Sequence, residues 1–158
     1  MIHYIDTKVS KFFKKTSSID FEMERSITIT TTYDKRSLIS ILSDPTFVLP
    51  RLFPPIKSVS RGENSFDGEG RFMTTKFHMH GTVIVRDDIV YGFYLSAGGS
   101  QGNGRLIFTF NNNEINLKLE YQGKMEKLSG LFFIDRWFSD FASKLNEEIK
   151  AEVIKRRL

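Results

Sequence analysis

A chain of 158 residues with 40% hydrophobic and 27% charged content has the size and composition of one globular domain with a full core. It has no cysteine, which excludes disulfides, thiolate catalysis and cysteine-based metal sites. Its net charge of +4 falls short of the dense basic stripe that nucleic acid demands.

Phe alone supplies 15 residues. It is a large ring with no polar handle, so its excess favours an apolar interior over a polar active site. No run of about 18 apolar residues is present to span a membrane. The first residues, MIHYIDTKVSKFFKK, lack the apolar core and small-residue cleavage site of a signal peptide, so a cytoplasmic location is expected.

Residues 1–20 form an extension ahead of a domain at 21–158. Within the extension, Ile5, Val9, Phe12 and Phe13 recur at helical spacing with lysines between them, which predicts a short basic amphipathic helix over 4–15. Such a segment would serve as a flap on the domain or on a second copy in a homodimer, or make a weak contact with a membrane surface. Residues 21–32, FEMERSITITTT, alternate as a half-buried strand, with Arg25 the one exception on the apolar side. Asp34 caps a short helix through Leu42, and Asp44-Pro45 ends it and starts a second helix, roughly Pro45 to Phe53, which closes at Pro54-Pro55.

From Ile56 to Gln122 the pattern is strands and turns. A strand at 56–61 precedes a long strand from Phe66 to His80, with a bulge expected near Gly68 and Gly70. Val83–Val85 pairs with Ile89–Ser96, Ala97–Gly104 forms a glycine-rich loop, and 105–110 and 115–122 make a hairpin about Asn111-Asn112-Asn113. The connections are hairpin-length, so the sheet is antiparallel. From Leu131 a helix of about 24 residues, about 36 Å long, carries Ile134, Trp137, Phe138, Phe141, Leu145, Ile149 and Val153 on one face. Asp135 falls among its polar positions. The layout is α+β.

This order resembles the helix-grip superfamily, which includes the START, birch-pollen-allergen-like and polyketide-cyclase-like domains (SRPBCC). The pieces that carry the resemblance are FEMERSITIT, DKRSLISILSDPTFVLPRLFPP, the strand run, and LFFIDRWFSDFASKLNEEIKAEVI. It implies a curved sheet of about seven strands gripping the C-terminal helix, with two short helices after the first strand. It also implies a cavity between sheet and helix for a lipid, sterol, fatty acid or polyketide. Two departures are the 20-residue extension and the spacing of the glycine-rich loop.

The concave face would receive Met73, Phe77, Met79, Tyr91, Phe93, Leu95, Leu106, Phe108, Phe110, Ile115, Leu117 and Leu119, and the helix would add Trp137, Phe138 and Phe141. Phe47, Leu49 and Phe53 would form a gate. Large flexible Met and Phe side chains suit an adaptable apolar pocket, and the same residues would equally fill a solid core. Arg71 shares the parity of Met73 and Phe77 and is a candidate anchor for a ligand head group, with Arg105 a second, although a register change at Gly68 and Gly70 would turn Arg71 outward.

His78 and His80 share a strand face, but no third metal ligand accompanies them, so solvent-facing histidines are expected. The glycine-rich loop lacks the lysine and the following helix of a phosphate loop. Asp67, Glu69, Asp87, Asp88 and Glu120 fall at turns or on polar faces, where nothing raises their pKa for acid catalysis. The reading is non-catalytic storage, transport or sensing of a hydrophobic small molecule, a fatty acid in the first instance, with no cofactor, metal or nucleic acid. A cyclase- or hydrolase-type enzyme and a self-association module are the alternatives.

Overall fold

The computed structural model describes the backbone of residues 5–13, 19–125 and 131–158, with side chains over 22–123 and 133–158. Eleven elements follow in order: β1 (Ile5–Phe13), β2 (Ile19–Thr30), α1 (Lys35–Leu42), α2 (Pro45–Leu52), β3 (Ile56–Arg61), β4 (Ser65–Phe72), β5 (Thr75–Val85), β6 (Ile89–Ala97), β7 (Ser100–Asn111), β8 (Glu114–Met125) and α3 (Leu131–Arg156). The strands form one antiparallel sheet in the order β1-β2-β8-β7-β6-β5-β4-β3. The run from β3 to β8 is a meander, and β8 closes against β2.

The two short helices carry the chain from β2 across to β3 at the far edge. Asp34 caps α1 by accepting from Ser37 N at 3.0 Å, and Asp44 caps α2 by accepting from Thr46 N at 3.0 Å. Pro45 opens α2, where its missing N–H costs nothing. Three side chains bind this corner to the rest. Arg156 of α3 reaches Asp44 at 2.9 Å, Arg61 of β3 reaches the same carboxylate at 3.2 Å, and Arg51 pairs with Glu148 while its guanidinium lies 4.0 Å from the centre of the Phe47 ring.

Helix α3 lies against the sheet with Phe138, Phe141, Ala142, Leu145 and Ile149 buried. Each large apolar side chain in that stripe contributes roughly 1.5–3 kcal/mol by leaving water. Opposite it stand the inward rows of the sheet, including Ile27, Ile29, Tyr91, Leu106, Phe108, Ile115, Leu117 and Leu119, all at 2% exposure or less. These are the positions that the period-two patterns put inside.

Three sequence expectations are corrected. The segment expected as a helix over 4–15 is strand β1, paired with β2 from Ile5↔Ile27 to Phe13↔Ile19. Its apolar residues fit either period, and an open strand edge on β2 decides in favour of the strand. The expected strand from Phe66 to His80 is two strands, β4 and β5, folded about Met73-Thr74, and the residues at 83–85 belong to β5. Met73 takes φ +57°, a left-handed conformation that a methionine rarely adopts, so no Gly or Asn marked the turn. The glycine-rich loop expected at Ala97–Gly104 is a two-residue turn at Gly98-Gly99, with Ala97 ending β6 and Ser100–Gly104 in β7. The only register shift between β3 and β4 falls in β3, between Ile56 and Ser58, across from Gly70 and Glu69.

Candidate functional site

The hairpin at Met73 reverses the parity of everything before it. Phe66 and Phe72 of β4 point inward, and Arg71 points into solvent. Met73 is 69% exposed at the tip of the turn. Neither Arg71 nor Met73 therefore faces the interior, and Arg71 is no head-group anchor. Arg105 is also on the outer face, paired with Glu120 at 2.6 Å.

The remaining candidates are where the alternation put them. Phe47, Leu49, Phe53, Met79, Tyr91, Phe93, Phe108, Leu117, Leu119, Phe138 and Phe141 are buried, and Phe77 and Trp137 pack half-buried against them. At one end of the interior, Phe53 and Phe72 meet Trp137 edge-on at 6.2 and 5.8 Å, and Phe133 stacks on Trp137 at 6.0 Å. Deeper in, Phe93 stacks on Tyr121 at 6.3 Å, and its ring lies over Gly104, where a Cβ would come within 2.7 Å of it. Of the three residues expected at a gate, all are buried, and Phe53 is the one in ring contact with Trp137.

Two buried tyrosines add hydroxyls. Tyr91 donates to the carbonyl of Leu42 at 2.6 Å, and burial together with the Asp44 carboxylate pushes its phenol well above the ordinary value. Burial pushes Tyr121 up to about 12. Both are neutral donors at physiological pH.

The residue that sequence reasoning passed over is Arg25. Its parity marked it as the exception on the apolar side of β2, and that parity holds: Arg25 is buried between Met23 and Ile27. It is the one buried charge among the described residues. Its Nε donates to Asp135 Oδ1 of α3 at 2.6 Å, and its Nη1 is buried with no hydrogen-bond partner. Asp135 stands half-exposed, with 49% of its side chain open to solvent against 5% for Arg25. A polar position on the helix thus reaches inward across the gap to the sheet.

A groove of about 870 Å³ lies on the outer face, across β2, β8, β7, β6 and β5. Its floor is the cross-strand row Met23, Tyr121, Gly104, Phe93 and Gly81, glycines and residues with inward side chains, and outward rows such as Glu24–Glu120–Arg105 form its walls. This concavity is on the opposite side of the sheet from the expected cavity. His78 and His80 also face outward. They stack at 5.5 Å, His80 continues onto Tyr94, and His78 meets Asp67 at 3.1 Å. Among the described residues, no three His, Cys, Asp or Glu side chains come together as metal ligands, and no helix is long and apolar enough to cross a membrane.

A protein-family model matches residues 23–158. No curated protein matches the sequence. Among solved structures, a hypothetical protein from Sulfolobus tokodaii shares 26% identity at a TM-score of 0.67, over 84% of this chain and 98% of that one. A conserved protein from Geobacillus kaustophilus shares 17% identity at 0.60, over 82% and 95%. Human STARD10 shares only 6% identity but the same architecture at 0.56, over 93% and 78%. With a family model matched over residues 23–158 and the architecture of STARD10 around its long helix, the chain has the helix-grip α+β fold.

Proposed function

We propose that this protein binds a hydrophobic ligand without transforming it, between the inner face of the sheet and α3, and that the ligand is a fatty acid. The observation that carries this reading is the composition of the buried interior. Among the described residues it is apolar except for Thr31, the hydroxyls of Tyr91 and Tyr121, and one charged side chain, Arg25, with an unpaired buried N–H. Phe and Met side chains supply an interior that can repack around a flexible chain, and one guanidinium suits one carboxylate. The buried ring of Phe53 and the half-buried rings of Phe72, Phe133 and Trp137 supply an apolar entrance beside the start of α3.

Catalysis of the cyclase or hydrolase kind calls for two or more ionisable groups converging inside. The described interior offers Arg25 and two tyrosines held neutral by burial, which favours binding over chemistry. Native mass spectrometry with added palmitate tests the proposal. A one-to-one adduct and displacement of a fluorescent fatty-acid probe are expected, and a mass that stays that of the bare chain at saturating palmitate would refute it.

A further inference from the structure

We infer that Arg25 and Asp135 form a carboxylate-exchange site, in which Asp135 holds the guanidinium in the empty protein and the head group of an acidic amphiphile takes it over on loading. The inference rests on the proposed function and specifies what selects the ligand.

A guanidinium is a planar fork of five N–H donors, and its best partner is a carboxylate that meets two of them at once. Asp135 meets one: its Oδ1 accepts from Nε at 2.6 Å. Nη1 stays buried and unmet. An unpaired buried donor on a charged group is costly, so the empty protein holds the arginine in an incompletely satisfied state. A second carboxylate arriving from the interior side would satisfy that donor.

The two partners are unequally placed. Arg25 is fixed in the middle of β2, paired with Leu119 of β8 and flanked on its own face by Met23 and Ile27. Asp135 sits in the second turn of α3 and is half open to water, so it can leave without burying an unpaired charge. The apolar neighbours of Arg25 would take the hydrocarbon of a ligand whose head lies at the guanidinium. Two carboxylates at one guanidinium repel, so loading weakens the tie between β2 and the start of α3. A neutral head group of the same length brings no charge to the exchange and leaves Asp135 in place. Asp135 is therefore a specificity-determining residue that acts through Arg25 and sets a threshold that only an acid crosses.

The test compares palmitate with methyl palmitate by probe displacement on the full chain, using wild type, Arg25→Met and Asp135→Asn. Wild type should take palmitate at least tenfold more tightly than the ester. Arg25→Met should lose that preference while keeping its ester affinity, which also shows that it folds. Asp135→Asn should bind palmitate several-fold more tightly with ester affinity unchanged, an effect that a purely structural ion pair would not produce. Equal affinities for acid and ester in wild type, or weaker palmitate binding by Asp135→Asn, overturn the exchange site and leave the proposed function standing. Failure of wild type to take up either lipid overturns both.

Discussion

Replacing Tyr91 by Phe isolates one buried hydrogen bond. The Tyr91 hydroxyl donates at 2.6 Å to the carbonyl of Leu42, the last residue of α1, where a helix leaves its carbonyls without helical partners. Both residues are fully buried, so no water replaces the lost donor. The ring itself keeps its contacts with Phe66 at 5.8 Å and Phe108 at 6.2 Å, which makes the change nearly isosteric. Stranding a buried acceptor costs about 1–3 kcal/mol. For a chain of this length each kcal/mol moves the melting temperature by about 2–4 °C, so a fall of about 2–12 °C is expected. Thermal denaturation followed by circular dichroism near neutral pH measures it. Tyr94→Phe is the control: Tyr94 is 60% exposed on the outer face, and its change should stay within about 0.5 kcal/mol. A Tyr91→Phe protein that melts within about 1 °C of wild type would refute the claim that this bond locks α1 to the sheet.

Other perturbations read other parts of the structure. Gly92→Ala adds a methyl whose nearest neighbour is Thr82 Oγ1 at 3.9 Å, so it should stabilise by about 0.4–1 kcal/mol, whereas Gly81→Ala would put its Cβ 1.9 Å from the Gly92 carbonyl and should destabilise by about 1–3 kcal/mol. Urea midpoints in the reverse order would contradict the placement of these strands. Met73→Asn relieves a left-handed methionine that packs against little, and should raise stability by about 1 kcal/mol; a lower melting temperature would speak against the two-residue turn. Burial tends to raise the Asp44 carboxyl, but hydrogen bonds from Thr46 and the Arg156 guanidinium outweigh it and hold the group below its ordinary 3.8. Its stabilisation is therefore present above that value and is lost as the pH falls through the lower folded one. The gap in melting temperature between wild type and Asp44→Asn should be widest near neutrality and shrink in acid, and a gap constant across the acid range would rule this out.

Periodicity made the layout legible because burial imposes it. The alternation in β2, β6, β7 and β8 and the three-four spacing in α3 each follow from one face meeting the core, and the capping aspartates at 34 and 44 announce the two short helices. Parity failed only where the chain turned without a turn residue. Met73 hides a hairpin, so the parity that Arg71 shares with Met73 and Phe77 along the sequence does not hold in the structure, where Arg71 is exposed. Arg25 carried the right signal, a charge at an inward position. Its partner Asp135 had none, because a residue at the border of the helix stripe can face either way until the sheet opposite it is known. The outer groove is equally silent in sequence, since it comes from how five strands bend together.

Strand β1 has a further consequence, for how the molecule behaves in a crowd. Without it, the twelve residues of β2, with their Ile and Thr alternation, would form an open edge whose backbone N–H and C=O groups could recruit the edge of another molecule. With β1 in place that edge is passed to a shorter strand of nine residues, and short edge strands make poorer templates for pairing. Deleting residues 1–18 should therefore show itself chiefly as concentration-dependent aggregation on warming, detectable by light scattering. A deletion variant that stays monodisperse at high concentration would show that the edge of β2 needs no such guard.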